Sequence, residues 1–233
     1  MNSKGILFIS GGGRAPDTKL LDSHFVSTLK NRKVLYIPVG LQRSFVGYDE
    51  CYEWITGALN PYSEKPLDIE MWVDLNHKSY SDLPETDAIY IGGGKNSYLL
   101  MKQFKGTGFI NILKTFLDTG GYLYGGSTGA IILGKFVSVF GEVPPEDLMS
   151  DDGLGLVGDF SIFCHYNLER EPKILDFLKN KKSPVIAIPE NSGVVIKNAT
   201  LTVKGFSPIT LFMSEDVRIL VNPDSIWYFE EPL

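Results

Sequence analysis

The sequence predicts an α/β protein, a three-layer sandwich whose mostly parallel sheet carries helices on both faces, in the manner of flavodoxin-like folds. Three observations predict it. Short apolar runs rich in β-branched and aromatic residues recur along the chain. Longer amphipathic stretches separate them. Within each run the apolar residues are consecutive and not alternate, so both faces of the strand are covered. At 233 residues and 43% apolar content the chain can bury one large core, and one α/β domain over 1–233 is the simplest organisation.

The first run, Ile6 to Ser10, ends in Gly11-Gly12-Gly13. Asp17 to Lys30 then places Leu20, Leu21, Phe25 and Leu29 at helical spacing, with Pro16 and Asp17 set like a first turn. Val34 to Val39 reads as the next strand and Asp49 to Leu59 as the next helix. Strands follow at Ile69 to Val73 and Ala88 to Gly92. Phe109 to Leu117 is helical and is closed by Gly120 and Gly121 as C-cap residues. Further strands are Tyr122 to Gly125, the run ending at Cys164, and Val185 to Ile188. Between them Phe140 to Phe160, with Pro144, Pro145, clustered acids and three glycines, reads as a surface excursion and not a core element. Val194 to Lys197 and Leu201 to Val203 flank Asn198-Ala199-Thr200 as a small antiparallel hairpin at one edge.

Composition excludes several functions. Twenty-two basic against twenty-eight acidic side chains give a net charge of −6, with no basic block to follow a phosphate backbone, so nucleic acid is not an expected partner. The apolar run near the start, Ile6 to Ile9, is too short for a secretory or membrane segment, and a soluble, cytoplasmic protein is expected. Cys51 and Cys164 stand far apart with no Cys-x-x-Cys, which suggests neither a disulfide framework nor zinc; Cys164 reads as a buried small hydrophobe. The glycine-rich loops fail as nucleotide sites. Gly92 to Asn96 lacks the six-residue frame, Gly129 to Phe136 ends in phenylalanine where a magnesium-binding hydroxyl belongs, and Pro16 occupies the third glycine position of a dinucleotide fingerprint.

Tyr122 to Leu133 is the most informative stretch. A strand runs into Gly125-Gly126-Ser127-Thr128-Gly129 and then into small and apolar residues that read as a helix. Glycines at 125 and 129 remove Cβ atoms that would collide in so abrupt a turn, leaving Ser127 exposed at its apex. The turn sets Ser127 at the positive end of the following helix, and the backbone N–H of Thr128 is placed to meet developing negative charge. The plain alternative is a strand-to-helix turn that happens to contain a serine.

A serine hydroxyl needs a base, most often histidine. His24 lies inside the first predicted helix and His77 in a polar loop, Asn76 to Ser79. His165 follows an apolar strand, at the kind of strand end where α/β sheets carry functional side chains, and is the only histidine after Ser127. The base needs a third group to fix its tautomer. Glu190 ends the next strand; Asp147, Asp151, Asp152 and Asp159 compete with it. The order nucleophile, histidine, acid differs from that of an α/β-hydrolase. The three side chains are expected to meet over the carboxyl edge of a single sheet. A second oxyanion donor can come from the loop Gly92-Gly93-Gly94, whose glycines let the backbone approach a ligand.

These residues resemble the serine peptidases that include dipeptidase E (aspartyl dipeptidase) and cyanophycinase, built on the class I glutamine-amidotransferase-like fold. The resemblance runs through Asp87 to Gly94, Gly125 to Ala130, Gly153 to Leu156, Cys164-His165-Tyr166 and Ala187 to Glu190. It implies a Ser-His-Glu triad of Ser127, His165 and Glu190, with Gly93 or Gly94 and Thr128 as oxyanion donors, acting on dipeptides or short peptides through an acyl-enzyme. The chain departs from the pattern at Lys95-Asn96, where Asn-Thr is usual, and at Thr128, where alanine is common. Dipeptidase E cleaves after an amino-terminal aspartate, which calls for a cation; Lys95 and Arg170 are the candidates, and Asn96 a further substrate contact. No metal or organic cofactor is implied, since triad chemistry is complete without one. A non-peptidase amidase or esterase on the same triad, a catalytically silent small-ligand binder, and a homodimer all stay open.

Overall fold

A computed structural model of the chain describes residues 5–41, 47–141 and 150–229. Five strands, β1 (Ile6–Ser10), β2 (Lys33–Ile37), β3 (Asp68–Met71), β4 (Ala88–Ile91) and β5 (Tyr122–Gly126), pair in parallel in the order β1-β5-β4-β2-β3. Their side chains alternate between two cores. Phe8, Tyr36, Tyr90 and Tyr124 pack on one face with Leu21 and Phe25 of α1 (Ala15–Thr28) and Cys51 and Ile55 of α2 (Tyr48–Leu59). Ile9, Ile37, Ile91 and Leu123 pack on the other with α3 (Ser97–Thr107) and α4 (Phe109–Asp118). Because both faces of β1, β2, β4 and β5 are covered, these strands read as apolar runs, whereas the edge strand β3 alternates, with Asp68 and Glu70 exposed and Ile69 buried. The α4 end is as predicted. Gly120, at φ +96°, donates to Leu117 O and Gly121 to Phe116 O, the paired bonds of a Schellman cap.

After β5 come α5 (Thr128–Ile131), β6 (Ser161–Phe163), α6 (Glu171–Lys181), β7 (Val185–Ala187) and β8 (Ser192–Lys197). The predicted hairpin forms between β8 and β9 (Thr200–Gly205), with Lys197 opposite Thr200 and Asn198 at φ +54° in the two-residue turn. It joins the main sheet, since β8 pairs antiparallel with β1.

Two expectations are corrected. The strands do not form a single sheet. β6 and β7 pair in parallel with each other and continue through β10 (Ile209–Phe212) to β11 (Arg218–Val221), a second sheet of order β11-β10-β7-β6, while β12 (Ile226–Tyr228) edges the first beside β9. Ile162, Phe163, Ile186 and Leu211 of that sheet join the core on the α3 and α4 side, so its strands have the same apolar signature as the main ones. Nor is all of 140–160 a surface excursion. Residues 142–149, with Pro144, Pro145 and Asp147, lie outside the described residues, but Leu154, Val157 and Phe160 are buried. Gly153 is what lets this segment in, for a Cβ there would sit 2.2 Å from Gly134 O.

Candidate active site

Adjacent parallel strands release their loops at the same sheet edge. β5, flanked by β1 and β4, ends in Ser127; β1 leads into Gly11-Gly12-Gly13 and β4 into Gly92-Gly93-Gly94. Ser127 has φ +50° and ψ −113°, a conformation that costs on the order of 1–3 kcal/mol and must be imposed by its surroundings. Two close approaches impose it: a Cβ at 125 would lie 2.7 Å from Gly129 O, and one at 129 would lie 2.3 Å from Ile91 O. The helix predicted after the turn is a single helical turn, α5, and then stops. The carbonyls of Ile132, Leu133 and Gly134 are taken by the N–H groups of Leu154, Leu156 and Gly155, so the ladder that would extend α5 does not form. Ser127 therefore stands at the start of one helical turn, its carbonyl accepting from Ala130 N and Ile131 N, and not at the end of a long helix dipole.

His165 and Glu190 come from the second sheet, from the loops after β6 and β7. One backbone bond ties the His165 loop to the first sheet, His165 N donating to Gly11 O at 2.9 Å. Tyr166 N donates to Ile188 O at 3.0 Å, which joins the two loops to each other, and the second loop leads into β8, where Ser192 O accepts from Gly11 N at 3.0 Å. His165, like Ser127, has a positive φ, +54°. Ser127 Oγ lies 2.9 Å from His165 Nε2, and His165 Nδ1 lies 2.8 Å from Glu190 Oε1. With the carboxylate accepting from Nδ1–H, Nε2 is left bare to accept the serine proton. Convergence thus occurs across two sheets. Of the acids weighed against Glu190, Asp147 lies outside the described residues, and the other three are occupied elsewhere: Asp151 pairs with Lys181 at 2.6 Å, Asp159 with Lys135 at 2.5 Å, and Asp152 accepts from Ser150.

A family model for peptidase family S51 matches residues 6–204. The chain belongs to that family. It is a hydrolase, a serine peptidase. It is 28% identical over 233 residues to peptidase E of Actinobacillus pleuropneumoniae serotype 5b (strain L20), covering 93% of this chain and 95% of that one. It is 27% identical over 205 residues to peptidase E of Shewanella sp. (strain W3-18-1), covering 83% of each. The crystal structure of a peptidase from an acI-B1 Actinobacterium shares the fold at a TM-score of 0.75 and 17% identity, covering 98% of both chains.

Sequence reasoning alone passed over Gly12. At φ +97° a Cβ on it would lie 2.6 Å from His165 Cε1 and 3.0 Å from Ser127 Cβ, so the imidazole occupies the space a side chain would fill. The signal is the triple glycine after the first strand, which begins the resemblance and fails as a dinucleotide loop, but in sequence nothing gives Gly12 a role beside the histidine. Of the oxyanion candidates, Gly93 approaches Ser127 closely, with a would-be Cβ 3.4 Å from Ser127 Cβ. Gly94 is pressed against Gly40, where a Cβ would sit 2.1 Å from the carbonyl oxygen. Thr128 Oγ1 donates to Gly94 O at 2.5 Å, which ties this loop to the serine turn. Cys164 lies fully buried beneath them, its Sγ 3.5 Å from the carbonyls of Ser10 and Ser127; burial raises its thiol well above the ordinary range.

A cavity of 440 Å³ opens at Ser127, lined also by Ser10, Gly12, Gly13, Thr18, Glu50, Cys51, Trp54, Tyr90, Gly93, Gly94 and Gly126. The three substrate-contact candidates are not among these. Asn96 caps α3, its side chain accepting from Leu99 N, Lys95 is exposed at that loop, and the Arg170 guanidinium lies 6.0 Å from the centroid of the Phe140 ring. Behind the cavity floor, Asp22 is buried between Tyr124 Oη at 2.5 Å and Thr18 Oγ1 at 2.6 Å. Its carboxyl is pushed up to about 6, chiefly by burial, against the opposing pull of those two hydroxyls. Among the described residues no group of three or more His, Cys, Asp or Glu is placed to hold a metal ion, and no helix is long and apolar enough to cross a membrane.

Proposed function

We propose that the protein hydrolyses dipeptides or short peptides through an acyl-enzyme formed on Ser127, with His165 as base and Glu190 as the group that orients it. The observation that carries this reading is the unbroken hydrogen-bonded line from Ser127 Oγ through the imidazole to the Glu190 carboxylate, at 2.9 and 2.8 Å. Ser127 Oγ attacks the peptide carbonyl while Nε2 takes its proton. The imidazolium so formed is stabilised by the carboxylate at Nδ1 and returns the proton to the leaving amine. Water then repeats the sequence against the ester, releasing the acyl group and restoring the serine. The carbonyl oxygen becomes an anion in both steps. The N–H of Thr128, in the first turn after the serine, and those of Gly93 and Gly94 across from it are the donors we assign to that charge.

Ser127→Ala tests the reading directly. Peptide hydrolysis falls roughly a thousandfold or more in this variant, and covalent labelling by a fluorophosphonate disappears. His165→Ala abolishes the labelling as well, because the hydroxyl then has no base. A Ser127→Ala enzyme that turns peptides over at the wild-type rate overturns the assignment.

A further inference from the structure

The cavity at Ser127 holds one ionic side chain among the described lining residues, and it is an acid, Glu50. Glu50 and Trp54 are four residues apart on α2, so they rise from one face of the helix a single turn apart. The Trp54 ring is set edge-on to Tyr90, with centroids 6.3 Å apart, and Tyr90 is in turn stacked on Tyr124 at 4.2 Å. A carboxylate beside a held indole binds organic cations, because the oxygens accept N–H bonds and the ring face attracts the charge. The amino end of α2 would ordinarily attract an anion. Here the Glu50 carboxylate already answers it, accepting from Gly47 N at 3.3 Å.

From this we infer that the pocket selects substrates with a positive charge beside the scissile bond, with Glu50 and Trp54 as the selecting pair. The cation is an ammonium or guanidinium, supplied either by the free amino terminus of the peptide or by a lysine or arginine side chain. An amino-terminal aspartate is disfavoured, since its carboxylate would enter a cavity whose one described charge is negative. The inference rests on the proposal that Ser127 is the nucleophile at this cavity.

The test measures kcat/KM for Lys-Ala, Ala-Ala and Asp-Ala, and for the N-acetylated forms of the first two, alongside fluorophosphonate labelling of the same preparation. Wild-type enzyme is compared with Glu50→Gln, in which the amide oxygen still accepts from Gly47 N and keeps the helix start intact. The expected order is Lys, Ala, Asp, spanning roughly tenfold or more. In Glu50→Gln that ratio collapses toward one, and in Glu50→Lys it inverts. If acetylation abolishes cleavage of Ala-Ala, the amino terminus is the cation; if the lysine preference survives acetylation, the side chain is. Labelled enzyme that prefers Asp-Ala, that cleaves none of these peptides, or whose charge ratio ignores Glu50→Gln overturns the selector alone. Enzyme that neither labels nor hydrolyses overturns the serine nucleophile and the selector with it.

Discussion

Gly12 and His165 meet with no space between them: a methyl group on Gly12 would lie 2.6 Å from Cε1 and 2.7 Å from Nε2 of the ring. The backbone there is also at φ +97°, which L side chains rarely adopt. Gly12→Ala therefore pushes the imidazole off the serine. Displacement of a reacting group by about 1 Å can cost roughly a hundredfold. We expect a loss of that order in kcat, with thermal unfolding still cooperative. A Gly12→Ala enzyme of full activity would mean that the ring has room to move without consequence.

Thr128 holds the loop opposite the nucleophile, through its hydroxyl on Gly94 O. Thr128→Ser keeps that bond and should keep kcat. Thr128→Val keeps the shape and loses the donor, leaving a carbonyl without its partner beside Gly93. We expect kcat to fall roughly tenfold to a hundredfold in the valine variant while KM changes little, since a loop that meets charge only in the transition state affects turnover before binding. Equal kcat in the two variants would remove Thr128 from the machinery.

Much of this arrangement was legible because its causes are local. Glycines at 125 and 129 announce a turn that only glycine permits, and unbroken apolar strands announce two covered faces. Pairing is not local. β6 and β7 look in sequence like any other buried strand, and nothing in Ser161 to Phe163 says that its partner is Val185 and not a strand of the main sheet. β11 errs the other way: Ile219, Leu220 and Val221 are apolar in sequence, yet Ile219 and Leu220 are exposed, so an apolar run there does not mark a strand covered on both faces. The three candidate site residues could be picked out because each follows a strand, which holds whichever sheet the strand joins. The cavity wall was missed for the converse reason. Glu50 and Trp54 sit on an exposed helix face, and only the packing of α2 beside Tyr90 turns that face into a pocket.

Glu190 differs from its partners in exposure: its side chain is 60% accessible, against 26% for His165. A carboxylate this wet can be replaced in part by water at Nδ1. Glu190→Ala should therefore lose roughly tenfold to a hundredfold less than Ser127→Ala does. Parallel turnover assays on the two variants decide it. Equal losses would show that the carboxylate does more than orient the ring.

Asp22 makes the stability of the fold depend on pH in a direction unusual for a carboxylate. Burial raises its folded pKa from an ordinary 3.8 to about 6, so the folded state holds the proton more tightly than the unfolded chain does. Its contribution is fully present below about pH 4 and is lost as pH rises through 6, a change on the order of 3 kcal/mol. Asp22→Asn removes the titration, while its amide can still accept from Tyr124 Oη and meet Thr18 Oγ1. In urea unfolding at pH 4.5 and 7.5, the asparagine variant should gain on the wild type as pH rises. A difference between the two proteins that stays constant across this range would mean that Asp22 is ionised at both values, held so by the two hydroxyls in spite of its burial.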